Sequence, residues 1–414
     1  MNPFEELESN VRYYCRRWPA VFATSSGCHI TDEDGNEYLD FFAGAGALSY
    51  GHNNPIFVDV AIDHLRAGRL LHSLDTFTAE KRDFLETIER VILAPRQLDM
   101  VVQTVGPTGA TAVEAALQLA QRITGHRGVV GFEGGYHGMS YRAASISASM
   151  AGRETSAHLK DFVALPYVKH VTDADIAVLE ETLRRPVNGQ AIGVVIIEPT
   201  QGEGGARAFD PAYLAAVRRV TRELGILVIA DEIQAGVGRT GPFFSFEGSQ
   251  LDPDIICVSK SISGLGLPMA INLVRRELDT WRPGEFTGTF RGNNLAFATS
   301  AAMMNAYWTD SNLEKSTEQN GQMVLAALEE MSSRFGQGRF DVRGNGLLCG
   351  LDVHDTDLAA EVARRAFERR LIVECCGAGD TVVKILAPLV IDADELADGL
   401  ERLTQSVEQA TSTR

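Results

Sequence analysis

The chain lacks most signatures of a metal, disulfide or nucleotide site. Its six cysteines (Cys15, Cys28, Cys257, Cys349, Cys375 and Cys376) are scattered, with no CxxC pair. That argues against a disulfide or zinc framework and for reduced thiols in a cytoplasm. Nine histidines show no HExxH spacing, so no metal is expected. No apolar stretch reaches the ~18 residues of a membrane span. The opening MNPFEELESN lacks the basic-then-apolar pattern of a signal peptide. Positive charge is scarce: 38 Lys and Arg against 55 Asp and Glu leave a net charge of −17. Nucleic acid and anionic lipid are therefore not expected as partners. The phosphate loop GxxxxGK[ST] is absent, and the nearest approach to GxGxxG, GNGLLCG at Gly344–Gly350, has the wrong spacing. No repeat, low-complexity tract or charged linker interrupts the chain. At 45% hydrophobic and 22% charged over 414 residues, it reads as an ordinary globular chain with room for two or three domains.

What is present is alternation. GVVIIEP near 193–198 reads as a strand, PAYLAAVRRVTREL as a helix, GILVIADE as the next strand and DIICVSK as another. Buried strands separated by helices predict an α/β fold with a mostly parallel sheet, whose ligands bind beyond the carboxyl ends of the strands. The expected division is 1–45 as an N-terminal arm and part of a smaller lobe, 46–300 as the large cofactor-binding domain, and 301–414 as a small α+β lobe. Asp231 ends the apolar run Ile226–Ala230, with a second acid, Glu232, beside it. A buried strand that ends on a carboxylate has either reached water or met a ligand that needs negative charge. Lys260 follows the next strand, so the two can face one crevice.

A helix start is predicted at GPTGATAVEAALQLAQ, where Thr111 and Glu114 have capping-box spacing. The small residues Thr108, Gly109 and Ala110 precede it, and free N–H groups at a helix start suit a phosphate. GGYHGMS then sets Tyr136 and His137 between glycines, either as an ordinary turn or as an aromatic presented where backbone must approach something closely. A phosphate-type helix start, a loop aromatic, a strand-end acid and a lone lysine form the set that pyridoxal 5'-phosphate needs: the lysine captures its aldehyde as a Schiff base and the acid keeps its ring nitrogen protonated.

At these motifs the chain resembles the class III (omega) aminotransferases of fold type I. GPTGATAVEAA, GGYHG, IIEPTQGEGG, VIADEIQAGVGRTG, VSKSISGLGLPM and GTFRGNN carry the resemblance, in order and over nearly the whole length. It implies that Lys260 binds the cofactor covalently and shuttles the proton, and that Asp231 pairs with the pyridine nitrogen. It places Gln234 near the ring hydroxyl, Tyr136 on the ring face, and Gly109 and Ala110 at the phosphate. Glu198 would stand behind Asp231. Thr289 would reach the phosphate of a neighbouring subunit, which implies a homodimer or dimer of dimers with shared sites. Glu203 resembles a switch glutamate that pairs with a basic residue near the C-terminus. Many omega-aminotransferases carry arginine there; this chain reads VVKILAPL, with Lys384 either as the counterpart or as a solvated strand-end lysine.

That departure, with FFAGAGALSYGHNNP, DEIQAGVGRTGPFFSFE, SKSISGLGLPMA and ESNVRYYCRRWPAVF, is similar to the diaminobutyrate–2-oxoglutarate aminotransferases of ectoine biosynthesis. LLHSLDTFTAEK (Leu70–Lys81) matches them only in part and is expected to border the active site. The implied partners are an amino donor and a 2-oxo acid acceptor. The alternatives are another omega-aminotransferase acting on ornithine, 4-aminobutyrate or another diamine, or an aminomutase or racemase on the same scaffold. Small residues of Ala43–Gly51 are expected near the ring, and Arg12, Arg16 or Arg17 to lend charge to the far side of the pocket.

Overall fold

The structure, a computed structural model, describes residues 3–150 and 160–412. Strands β1 (Phe22–Ser26), β2 (His29–Asp32) and β3 (Glu37–Asp40) open the chain as an antiparallel meander. Next come β4 (Met100–Gly106), β5 (Gly128–Phe132), β6 (Phe162–Leu165) and β7 (Ile192–Ile197). A short hairpin, β8 (Thr200–Gln201) and β9 (Arg207–Ala208), precedes β10 (Leu227–Asp231), β11 (Ile255–Val258) and β12 (Ala270–Arg275). The last strands are β13 (Asp341–Asn345), β14 (Leu348–Asp352), β15 (Leu371–Ile372), β16 (Glu374–Cys376) and β17 (Val382–Ile385).

The main sheet has the order β4-β12-β11-β10-β7-β5-β6. Neighbours from β11 to β6 pair in parallel, and β12 runs antiparallel to both β11 and β4. Every residue of β7 and β11 is buried, and of β10 all but Leu227. Their unbroken apolar runs follow from this, because helices cover both faces of a parallel sheet. A second sheet, β13-β14-β17-β16, lies in the C-terminal part, while β15 leaves that region to pair in parallel with β3. The helix Asn294–Tyr307 runs through position 300 and packs on Pro55–Arg66 and Ala79–Ile88.

The helix Pro211–Leu224 shows how the sequence fixes the strand that carries Asp231. Asp210 caps it by accepting from the Ala212 N–H at 2.8 Å, Pro211 starts it, and Gly225 ends it at φ 68°. Its inner face buries Tyr213, Val217 and Val220, and also Arg218. That guanidinium would be costly unpaired, and Asp254 meets it with two bonds of 2.9 and 3.1 Å. Asp254 also accepts from the Val228 N–H at 2.8 Å, so one acid ties the helix to the start of β10. Asp254→Ala leaves the buried cation only the longer contact to Asp252 at 3.4 Å and should lower unfolding stability by about 3 kcal/mol. Arg219→Ala, on the solvent side of the same helix, should change it by about 0–1 kcal/mol. Denaturant midpoints of the two variants check the contrast.

Candidate active site

Parallel pairing brings the ends of β10 and β11 together, with Asp231 in register with Cys257. The chain leaves β11 at Val258 and turns through Lys260 at φ +54°. A left-handed backbone at a residue with a Cβ is strained, and such strain persists where the surroundings over-determine it. The Lys260 side chain enters a cavity of about 430 Å³ that Asp231 also lines. Small residues leave room for it: a Cβ at Gly46 would sit 4.0 Å from Lys260 Cδ.

Across the cavity stands the helix Gly109–Thr124. The predicted capping box is corrected here, for the cap is Thr108, whose Oγ1 accepts from the Thr111 N–H at 3.3 Å. Glu114 does not cap because loop donors claim it: the Ser140 hydroxyl and the N–H groups of Arg142 (3.0 Å) and Ala143 (3.1 Å). Gly109 and Ala110 thus become the first two helical residues, whose N–H groups have no partner within the helix and face the cavity end. The glycine loop packs on them closely, since a Cβ on Gly138, at φ +117°, would lie 2.7 Å from that of Ala110.

Tyr136 lines the cavity, and His137 binds Asp231, Nδ1 to Oδ2, at 2.7 Å. The carboxylate only accepts, so Nδ1 donates. Burial by itself would lower the His137 pKa, but the bond to Asp231 and its charge raise it. The other Asp231 oxygen accepts from the Ile233 N–H at 3.1 Å. Glu198 holds two loops, accepting from the N–H of Tyr136 (2.8 Å) and of Gly202 (3.3 Å), and burial pushes its carboxyl up. Burial lowers the Lys260 pKa; nearby Glu203 opposes that and Lys384 adds to it.

Glu203 also lines the cavity. Its Oε1 lies 2.7 Å from Lys384 Nζ and accepts from Gln234 Nε2 at 3.0 Å. Burial would raise its carboxyl, but the charges of Lys384 and Lys260 overcome that and hold it at about 2. Lys384 is corrected in one respect: it is no solvated lysine but is wholly buried within β17. A second acid, Glu374, lies 2.7 Å from the same Nζ. Sequence reasoning missed it, because only the pairing of β16 with β17 sets it opposite Lys384.

The cavity therefore gathers Thr108, Gly109, Ala110, Tyr136, His137, Glu198, Glu203, Asp231, Gln234 and Lys260. Thr289 is not among them; it is exposed on the turn Thr289–Arg291 of its own chain. None of Arg12, Arg16 and Arg17 lines the cavity either. Arg17 is engaged by Asp380 at 2.9 Å, which ties the N-terminal arm to the C-terminal part, and Arg16 donates to the Asn10 carbonyl within the arm at 3.3 Å. The donor set fits pyridoxal 5'-phosphate: an amine for its aldehyde, an acid for its ring nitrogen, helix-start N–H groups for its phosphate and an aromatic for its ring.

Fold and site together define a pyridoxal-phosphate-dependent transferase. The Aminotransferase class-III profile matches residues 14–407, and the chain belongs to that family. It is 46% identical over 411 residues to a diaminobutyrate–2-oxoglutarate transaminase of Nocardia farcinica, covering 98% of this chain and 94% of the relative. The transaminase of the same name from Virgibacillus pantothenticus is 42% identical, with 99% of each chain covered. Among solved structures, the ornithine aminotransferase of Toxoplasma gondii superposes with a TM-score of 0.84 at 26% identity, over 100% of this chain and 94% of that one.

Glu232, the second acid of the DE pair, serves the loop behind the site. It is wholly buried and accepts from the Ser245 N–H (2.9 Å), the Ser245 hydroxyl (2.8 Å) and the Phe246 N–H (3.2 Å). Burial still pushes its carboxyl from the ordinary 4.5 up to about 8. The folded chain thus keeps a proton that the unfolded chain releases, and this contribution to stability falls as pH rises from about 4.5 to about 8. Glu232→Gln removes the titration. The gap in thermal midpoint between parent and variant should therefore shift toward the variant between those limits; a pH-independent gap would contradict the assignment.

Proposed function

We propose that the chain transfers the terminal amino group between L-2,4-diaminobutyrate and 2-oxoglutarate, running physiologically from aspartate semialdehyde and glutamate toward diaminobutyrate, in a cytoplasmic ectoine-type biosynthesis. The observation that carries the proposal is the pair Glu203–Lys384, whose acid lines the same cavity as Lys260. A terminal amine must reach Lys260 while the amino-acid end is held away from it. A movable acid beside a buried cation can meet an ammonium when it lines the cavity and make way for a carboxylate when it turns aside. The printed name of the Nocardia and Virgibacillus relatives gives the same two substrates.

When bound, pyridoxal phosphate supplies an electrophilic aldehyde and an electron sink. Lys260, its pKa lowered by burial, has a neutral amine within reach and moves the proton to and from the carbon that bears the transferred group, through Nζ. Asp231, oriented by His137, would hold positive charge at the ring nitrogen. Gly109 and Ala110 would hold the phosphate, and Tyr136 would offer its aromatic face to the ring. Gln234, bonded to Glu203 and to the Ala45 carbonyl (3.2 Å), links the two.

The site is completed by a second copy of the chain. Thr289 stands on an exposed ridge in which the Ser73 N–H donates to the Gly292 carbonyl at 2.9 Å. Apolar side chains crowd this ridge: Leu70, Leu71, Leu74, Phe77 and Phe290 are all at least 45% exposed. Such a patch on a soluble chain marks an interface, and a two-fold contact carries each Thr289 toward the partner's phosphate site. The partly matching segment Leu70–Lys81 then borders the partner's cavity rather than its own.

Two experiments test the proposal. With 2-oxoglutarate as acceptor, diaminobutyrate should exceed ornithine, lysine and 4-aminobutyrate in rate; a clear win by ornithine or 4-aminobutyrate overturns the substrate assignment, and turnover without consumption of 2-oxoglutarate indicates a mutase or racemase. Mixing Lys260→Ala with Thr289→Ala under subunit exchange puts both lesions in one site of each hybrid and leaves the other whole, so equal amounts should recover roughly a quarter of parental activity. Activity that stays at the mean of the separate variants means that Thr289 serves its own chain.

A further inference from the structure

Glu374 takes no part in the chemistry described so far, yet it is almost completely buried beside a charge. It faces Lys384 across β16 and β17 as a register pair. Lys384 Nζ lies 2.7 Å from Glu374 Oε1 and 2.7 Å from Glu203 Oε1. The two acids differ in freedom. Glu374 sits inside a strand with its side chain 4% exposed, whereas Glu203 sits on a loop, is 27% exposed and lines the cavity. Burial would lower the Lys384 pKa, but the two carboxylates raise it well above the ordinary value, so it stays charged. Burial pushes Glu374 up while Lys384 pulls it back.

We propose that Glu374 is a positioning and specificity residue: it pins Lys384 behind the cavity wall and gives the remote-end pocket a net negative charge, which selects donors that carry an ammonium at that end. With both acids ionised, two negative charges surround one positive charge. The α-ammonium of a diamino acid meets the surplus on Glu203 favourably. A donor such as 4-aminobutyrate brings only a carboxylate to that end and needs a free cation. When Glu203 swings away, Lys384 is still neutralised by Glu374, so no free cation appears. An acceptor dicarboxylate meets the same neutral pair. Glu374 therefore favours diamino donors at the expense of affinity for carboxylates.

The inference rests on the proposed donor, but one arm of its test does not. Glu374→Gln leaves Lys384 with the movable acid alone, so a carboxylate gains a full positive charge once Glu203 departs. Glutarate, titrated calorimetrically into borohydride-reduced holoenzyme, should bind roughly tenfold more tightly than to the parent, the effect of one unit charge a few ångströms behind the wall. In turnover, KM for 2-oxoglutarate should fall, and the ratio of kcat/KM for diaminobutyrate over 4-aminobutyrate should drop roughly tenfold. Glu374→Asp, which keeps the charge, should keep the parental ratio. Unchanged glutarate affinity in a folded Glu374→Gln protein overturns the inference. If that variant does not fold, Glu374→Ser removes the same charge with less bulk and carries the same test: a roughly tenfold gain in glutarate affinity supports the inference, and an unchanged affinity overturns it. A parent enzyme that prefers another donor defeats the substrate assignment while the glutarate arm still judges Glu374.

Discussion

An ionised carboxylate at the end of a buried strand must be met by positive charge or by donors, and Asp231 imposes that demand on the whole crevice. His137 meets part of it from the glycine loop, and the Ile233 N–H meets another part from the turn after β10. Glu198 then holds the same glycine loop by the Tyr136 N–H, so the aromatic and the acid are placed by one connected set of bonds. The pyridinium of the cofactor suits what remains. Nearby charges continue outward from this point: Lys260, then Glu203, then Lys384, then Glu374, with the sign alternating at each step.

Much of this was legible because the chemistry is concentrated where regular structure stops. Apolar runs located β7, β10 and β11, and the residues just past them named Asp231 and Lys260. The cap at Thr108 was misread by three positions, because spacing alone cannot say whether Glu114 turns back to the helix start or outward to the loop that folds over it. Lys384 was ambiguous for a different reason. VVKIL has no alternation to mark a solvent face, and a buried lysine is visible only when its acids arrive from strands and loops distant in sequence. Glu374 is one of these, separated from Lys384 by the loop that turns β16 into β17, and nothing in the local ECC string distinguishes it from a surface acid. The arginines of the N-terminal arm were judged by charge alone, whereas Asp380, on that same β16–β17 loop, claims Arg17.

The two acids of the DE pair show how adjacent residues divide their labour. Successive side chains at a strand end point to opposite sides. Asp231 faces the cavity, and Glu232 is directed to the 245–246 turn, where three donors fix the loop that leads from the site to the core. One carboxylate lines the cavity and the other fixes the loop behind it, and both stand where the same buried strand ends.

The pairing of β15 with β3 has a consequence for how the chain is made. Arg370 bonds Tyr38 across 332 positions, and the Leu39 N–H donates to the Arg370 carbonyl at 2.9 Å. The N-terminal meander therefore waits through most of synthesis with its β3 edge open, while the central sheet, whose strands all lie between Met100 and Arg275, can form first. Contacts of such long range are slow to close, and an open strand edge is a template for pairing with another chain. The ribosome must deliver about nine-tenths of the protein before the outer edge of β3 finds its permanent neighbour, so that edge stays open for most of synthesis.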